Sequence, residues 1–259
     1  PLSPPPRTFC GGGFGCGAAG SAGAAPPNED GVTVYNEDTV GPYQTVTVGA
    51  QDPNALYDWL TQNGYAIAAE TVPTLEHYVA LQSVFVAMSM APGLDVQAMH
   101  PVSVRYPGFM ATFPLKMVVV GAQVQLELAL WIVADQRYEA TNYGTVALNS
   151  DYLSWDWQTQ RSNYADAFAL TALENGNRAW IVEYAGSFSA ALQDAASAAS
   201  ADIELARGSL LAPYLTRLRT VMLVDHVNED MLLGPAQDPS DVSPLVFAPN
   251  DLNRPADVD

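Results

Sequence analysis

Between Gln123 and Leu130 the chain alternates with a period of two: Gln123, Gln125, Glu127 and Ala129 fall on one side, Val124, Leu126, Leu128 and Leu130 on the other. That pattern predicts a strand with one wet face and one buried face. The apolar run extends to Val133, and Gly121-Ala122 separates it from a second strand-like run, Phe113–Val120. The two are expected to pair as an antiparallel hairpin. Another hairpin is expected from Val32–Tyr35 and Tyr43–Val48, β-branched-rich stretches that flank a turn over Asn36–Pro42. Ser83–Met90, Pro101–Tyr106 and Arg178–Tyr184 carry further strand signals.

Helical spacing appears in four stretches. In the first, Asp52 can cap, Pro53 suits the first position, Leu56, Trp59 and Leu60 make one apolar stripe, and Asn63-Gly64 ends the helix. A second runs from Pro73 to Leu81. A third fits Ser162–Asn175, with Ser162 as cap and Gly176 just beyond its end. The fourth starts at Phe188 and places Leu192, Ala195, Ala199, Ile203, Ala206 and Leu210 at spacings of three and four. Antiparallel strand runs broken by single helices, without strict strand-helix-strand alternation, predict an α+β fold: an antiparallel sheet with three or more flanking helices.

The two ends have a different composition. Residues 1–31 form a Pro/Gly/Cys-rich arm and residues 247–259 a Pro/Asp-rich tail, neither with enough apolar side chains to build a core. Between them, 32–246 is read as a single α+β domain. With 259 residues and 49% hydrophobic content the chain can bury a substantial core. It opens Pro-Leu-Ser-Pro-Pro-Pro, with neither an initiator Met nor a signal peptide, and is expected to be a processed product or a fragment.

Charge narrows the function classes. Ten Lys and Arg stand against 28 Asp and Glu, Lys116 is the sole lysine, and the formal charge is −18. Such a surface repels polyanions, so nucleic acid and anionic lipid are excluded as expected partners. No run approaches the roughly 18–20 apolar residues of a membrane span. The longest candidate, Leu115–Val133, is broken by Lys116, Gly121, Gln123, Gln125 and Glu127. The acidity reads as solubility outside the cell.

Candidate chemistry is sparse. Cys10 and Cys16, the only cysteines, bracket FCGGGFGC. No His lies within the first 76 residues, and the glycines lack the Lys-Ser/Thr of a phosphate loop. The reading is a local Cys10–Cys16 disulfide in an oxidising compartment; the alternative is two thiols with partners elsewhere in a longer precursor. Asp225-His226-x-x-Glu229 is the one place where an imidazole adjoins several carboxylates. On one helical face Asp225, His226 and Glu229 could hold a divalent metal; the competing reading is a solvated acidic turn. Trp155-Asp156-Trp157 resembles a carbohydrate-stacking platform, against the commoner role of Trp as a core anchor. There is neither a G-x-S-x-G elbow nor an H-E-x-x-H helix, so no catalytic residue is assigned.

A family likeness runs through several short segments. They are Val40-Gly41-Pro42-Tyr43, Trp59-Leu60 with Asn63-Gly64-Tyr65, Pro114-Leu115, Tyr138 with Asn142-Tyr143, Glu183-Tyr184-Ala185-Gly186, and Tyr214-Leu215-Thr216-Arg217-Leu218. In order and spacing they resemble the uncharacterised bacterial family known as domain of unknown function 2330, over residues 32–225 and as a C-terminal portion of its pattern. The resemblance implies a secreted or envelope-exposed bacterial protein and supplies no catalytic residues. It also implies a strand-rich N-terminal half that this chain lacks, to be replaced by a separate segment or by neighbouring subunits at the exposed sheet edge. The functional expectation is a non-catalytic binding or structural component of a larger assembly, located outside the cell or in the envelope, with no cofactor. The alternative is a metal-dependent hydrolase using Asp225, His226 and Glu229.

Overall fold

A computed structural model describes residues 31–99, 102, 104, 111–189 and 212–243. The content is mixed: four α-helices and twelve strands among the described residues, with every ladder antiparallel except one. The Cys10–Cys16 segment, the fourth helix beyond Ser189 and the C-terminal tail lie outside the described residues, as does Pro101–Tyr106 apart from Val102 and Val104. The chain divides into two compact units, Pro1–Val102 and Ser103–Asp259, so the expected span of 32–246 contains parts of both.

The first unit is a three-stranded antiparallel sheet, β1 (Val32–Val40), β2 (Tyr43–Ala50) and β3 (Phe85–Met90), with α1 (Pro53–Gln62) and α2 (Val72–Ala80) between β2 and β3. α1 starts where its sequence requires: Asp52 accepts the Asn54 N–H at 2.9 Å, and Pro53 fills the first position. Gly64, just past the helix, adopts φ +84, which a glycine reaches without steric cost. Val46 and Val48 of β2 are buried, as are Leu56, Leu60, Leu75, Tyr78 and Val79 of the helices, and Tyr78 meets Phe85 of β3 edge-on at 6.5 Å. β1 is longer than expected, and its turn to β2 tightens onto Gly41 and Pro42, with Gly41 at φ +57. A register shift at Tyr35 inserts one extra residue, so Glu37 rather than Asn36 lies opposite the buried Val46.

The second unit is built on a four-stranded sheet of order β5-β11-β10-β7. Chain order runs β4 (Ala111–Phe113), α3 (Leu115–Val118), β5 (Gln125–Ala134), β6 (Tyr138–Ala140), β7 (Thr145–Ala147), β8 (Trp155–Asp156), β9 (Arg161–Ser162), α4 (Tyr164–Glu174), β10 (Trp180–Ser187), β11 (Tyr214–Leu223) and β12 (Met231–Pro235). A smaller sheet, β4-β12-β6, completes it. The alternation that predicts β5 places Leu126, Leu128, Leu130 and Ile132 against Trp180, Val182, Leu218, Met222 and Met231, the largest core of the unit. Four fully buried large side chains in that list dominate its stability, since each contributes on the order of 2 kcal/mol on burial.

One expectation fails. Phe113–Val120 is not the hairpin partner of β5; only Phe113 is in a strand, and Leu115–Val118 is a turn of α-helix. β5 pairs instead with β11, from Gln125 opposite Leu223 to Ala134 opposite Tyr214. This short helix follows Pro114, buries Leu115 and has a distant cap. The Lys116 N–H, left without an intrahelical partner in the first turn, donates to Asp230 Oδ1 at 3.0 Å across 114 residues. The cap of α4 also differs: Ser162 belongs to β9, and Asn163 takes the cap position while its side chain bonds the Ser154 N–H and the Tyr152 carbonyl.

Candidate functional site

α4 covers only part of the second face of the four-stranded sheet. There Phe168 and Ala172 pack on Leu148 and Ile181, with Val221 at the margin. Because side chains alternate along β11, Leu218 and Met222 enter the core while Arg217 and Arg219 point to this other face. Glu183 of β10 joins them through a bulge. The register steps from Val182 opposite Leu218 to Tyr184 opposite Arg217, leaving Glu183 as the extra residue. Bulges of this kind re-aim a side chain.

Glu183 is 6% exposed and sits between two arginines: Arg217 Nε lies 3.0 Å from its Oε2 and Arg219 Nη1 3.7 Å from its Oε1. The Tyr164 hydroxyl donates to Glu183 as well. Arg219 also donates from Nε to Glu127 Oε1 at 3.1 Å, and its guanidinium lies 4.3 Å over the Phe168 ring. Arg217 lies 4.6 Å over the indole of Trp131. Its close approach to Glu183 lacks hydrogen-bond alignment, so Arg217 Nε and Glu183 Oε2 are buried without a hydrogen bond among the described residues.

Beside this cluster opens a cleft of about 330 Å³, lined by Tyr164, Glu183, Arg217 and Arg219 with Ser150 and Ser243. Burial, and then the Glu183 carboxylate to which it donates, push the Tyr164 hydroxyl above the ordinary tyrosine range. At the cleft Tyr164 stands as a hydrogen-bond donor, its hydroxyl committed to Glu183. The two acids and two arginines cancel in formal charge, and Arg217 keeps its terminal nitrogens without a hydrogen bond to a described residue. A guanidinium edge at a cleft, backed by an exposed indole, is arranged to hold a planar anionic group.

The residues singled out from sequence lie elsewhere. Asp225 and His226 fall in a single turn, Val224–His226, that ends before Glu229, so the shared helical face does not form. His226 Nδ1 is 3.4 Å from the Asn177 carbonyl, and the Glu229 carboxylate faces Arg178 at 3.8 Å. Among the described residues no group of three or more His, Cys, Asp or Glu is placed to hold a metal ion. Trp155 and Trp157 meet at 74°, with centroids 6.4 Å apart, and do not offer one flat platform. Asp156 closes the β8–β9 turn, accepting the Gln158 N–H at 2.8 Å and the Thr159 hydroxyl at 2.8 Å, and those bonds hold its carboxyl below the usual range. Sequence reading missed Arg217 and Arg219 as chemistry. The available signal was their spacing of two on a strand in a chain with ten basic residues.

A family model described as "Uncharacterized protein conserved in bacteria (DUF2330)" matches residues 10–233. The match covers most of the chain and takes in both cysteines, which corrects the narrower expectation of a C-terminal portion over 32–225. No curated protein and no solved structure matches the chain. Among the described residues no helix is long and apolar enough to cross a membrane.

Proposed function

The chain belongs to the bacterial DUF2330 family, and for it we propose a secreted or cell-surface binding protein without catalysis of its own, which recognises a carboxylate-bearing ligand at the Arg217 cleft. The observation that carries this reading is the Arg217 guanidinium, which lines the cleft while stacked on the exposed Trp131 and keeps its terminal nitrogens without a hydrogen bond to a described residue. The acidic, lysine-poor composition supports an extracellular setting, where Cys10 and Cys16 would close as a disulfide. The same setting suits work within a larger assembly, with a neighbouring subunit or a further segment of the precursor as partner.

Titration with benzoate tests the site. Its carboxylate suits the Arg217 edge, and Trp131, stacked on that guanidinium, reports on it, so saturable binding followed by tryptophan emission is expected, lost in Arg217→Ala while circular dichroism shows the fold retained. Binding that survives Arg217→Ala would remove the assignment. Fractionation of the producing bacterium and thiol alkylation without reductant test the compartment and the disulfide.

A further inference from the structure

We propose that the first unit carries a separate saccharide-binding cleft, where the β1–β2–β3 sheet runs past the end of α1. The face of this sheet that packs on the helices changes character along its length. One cross-strand row, Val34, Val48 and Phe85, is apolar beneath α1 and α2; the next is Glu37, Val46 and Ala87; the last is Thr39, Gln44 and Ser89. The extra residue at Tyr35 is what turns Glu37 and Thr39 to this side. A sheet face that becomes polar just where its helix stops leaves a recess with hydrogen-bonding groups on its floor.

The recess measures about 520 Å³ and is walled by Trp59, at the end of α1, and Tyr65, which follows it. That volume falls within the roughly 300–1,000 Å³ of small-molecule sites. Tyr65 sets its hydroxyl near Ser89 and Glu37 at the floor. Asn63 gives its amide nitrogen to the Trp59 carbonyl at 2.8 Å and keeps its side-chain oxygen for the recess. The Glu37 and Gln44 side chains make no hydrogen bond to a described residue, so a carboxylate and a carboxamide on one sheet face are left to a ligand.

The chemistry of the walls and floor selects the ligand class. Among the described residues the recess is lined by the carboxylates of Glu37 and Asp38 and by no Lys or Arg, which disfavours an anion. A simple cation would use acceptors alone, whereas Gln44 and Thr39 also present donors. A neutral polyhydroxylated ring uses both kinds of group, and its C–H face packs on an aromatic wall.

A glycan array probed with the labelled full chain tests this, followed by calorimetry on the best neutral oligosaccharide. Binding of at least one neutral glycan is expected, weakened about tenfold by Glu37→Gln and about threefold to tenfold by Gln44→Ala, as for the loss of a charged and a neutral hydrogen bond. Both side chains are exposed, so neither variant should shift the melting temperature. Arg217→Ala should leave glycan affinity unchanged, which separates this cleft from the carboxylate site in the second unit. An array with no glycan bound above background, or affinity undiminished in the Glu37→Gln/Gln44→Ala double variant, would overturn the proposal. So would binding confined to amino sugars and displaced by tetramethylammonium chloride, which would make this a cation site.

Discussion

Arg217 stands directly opposite Trp131 in the β5–β11 ladder, and its guanidinium carbon lies 4.6 Å from the indole centroid. The indole is 59% exposed, so it is held by the cation above it and not by a core. Replacing Trp131 by Ala should therefore cost only about 0.5–1 kcal/mol in urea unfolding, the worth of an exposed cation–π pair. Benzoate affinity should fall much further. A loss of stability near the roughly 3–5 kcal/mol of a core Trp truncation would show that the residue is a packing anchor instead.

Glu183 is the hub of the cluster, and its two arginines make it costly to neutralise. Glu183→Gln leaves Arg217 and Arg219 facing an uncharged amide at a site only 6% exposed. A loss of about 1.5–3 kcal/mol is expected, as for a hydrogen bond to a charged group. Glu127 binds the same Arg219 but is 54% exposed, so Glu127→Gln should cost under about 1 kcal/mol. Comparing the two denaturation midpoints checks the ranking, and equal losses would contradict it.

Alkaline pH should reveal the two half-buried phenols that donate to carboxylates. Tyr164 donates to Glu183 and Tyr214 donates to Asp241 at 2.7 Å. Burial first, and then those carboxylates, push both hydroxyls above the ordinary value of 10.0. The folded state thus binds the phenolic proton more tightly than the unfolded state does. That contribution is whole below pH ~10, where the unfolded phenol keeps its proton, and it is lost as pH rises through the folded values. Melting temperature followed from neutral to strongly alkaline pH should fall above that point, and the Tyr164→Phe/Tyr214→Phe double variant should fall less steeply. Parallel curves would remove the role assigned to these phenols.

How far the sequence reveals the fold depends on how local the deciding interaction is. α1 is legible because Asp52, Pro53 and Gly64 act within a turn of the helix they bound. β5 is legible because its alternation reports burial strand by strand. Its partner is not, since nothing near Gln125 names Leu223. Phe113–Val120 is a short apolar run that suits strand and helix alike, and one of the contacts its helix makes, with Asp230, lies 114 residues away. The Arg217 cluster is hidden for a related reason: it needs the bulge at Glu183, which no local pattern announces. Asn142 and Tyr143, seen in the sequence only as family segments, prove to be clamps. Asn142 bonds the Asp230 carbonyl and the Leu232 N–H, and the Tyr143 hydroxyl bonds the Glu229 carbonyl.

The distant cap can be tested directly. Asp230 contributes two different groups: its carboxylate receives the Lys116 N–H, while its backbone carbonyl receives the Asn142 amide. Asp230→Ala removes the first and keeps the second. It should cost about 0.5–2 kcal/mol, the range of a lost helix cap. Hydrogen exchange should rise at residues 115–118, while the Asn142 side-chain amide protons stay protected. Asp230→Asn supplies an acceptor of similar shape and should restore most of the loss, because Asn caps nearly as well as Asp. If Asp230→Ala leaves exchange in α3 untouched, the helix is being fixed by the burial of Leu115 alone, and the 114-residue contact is incidental.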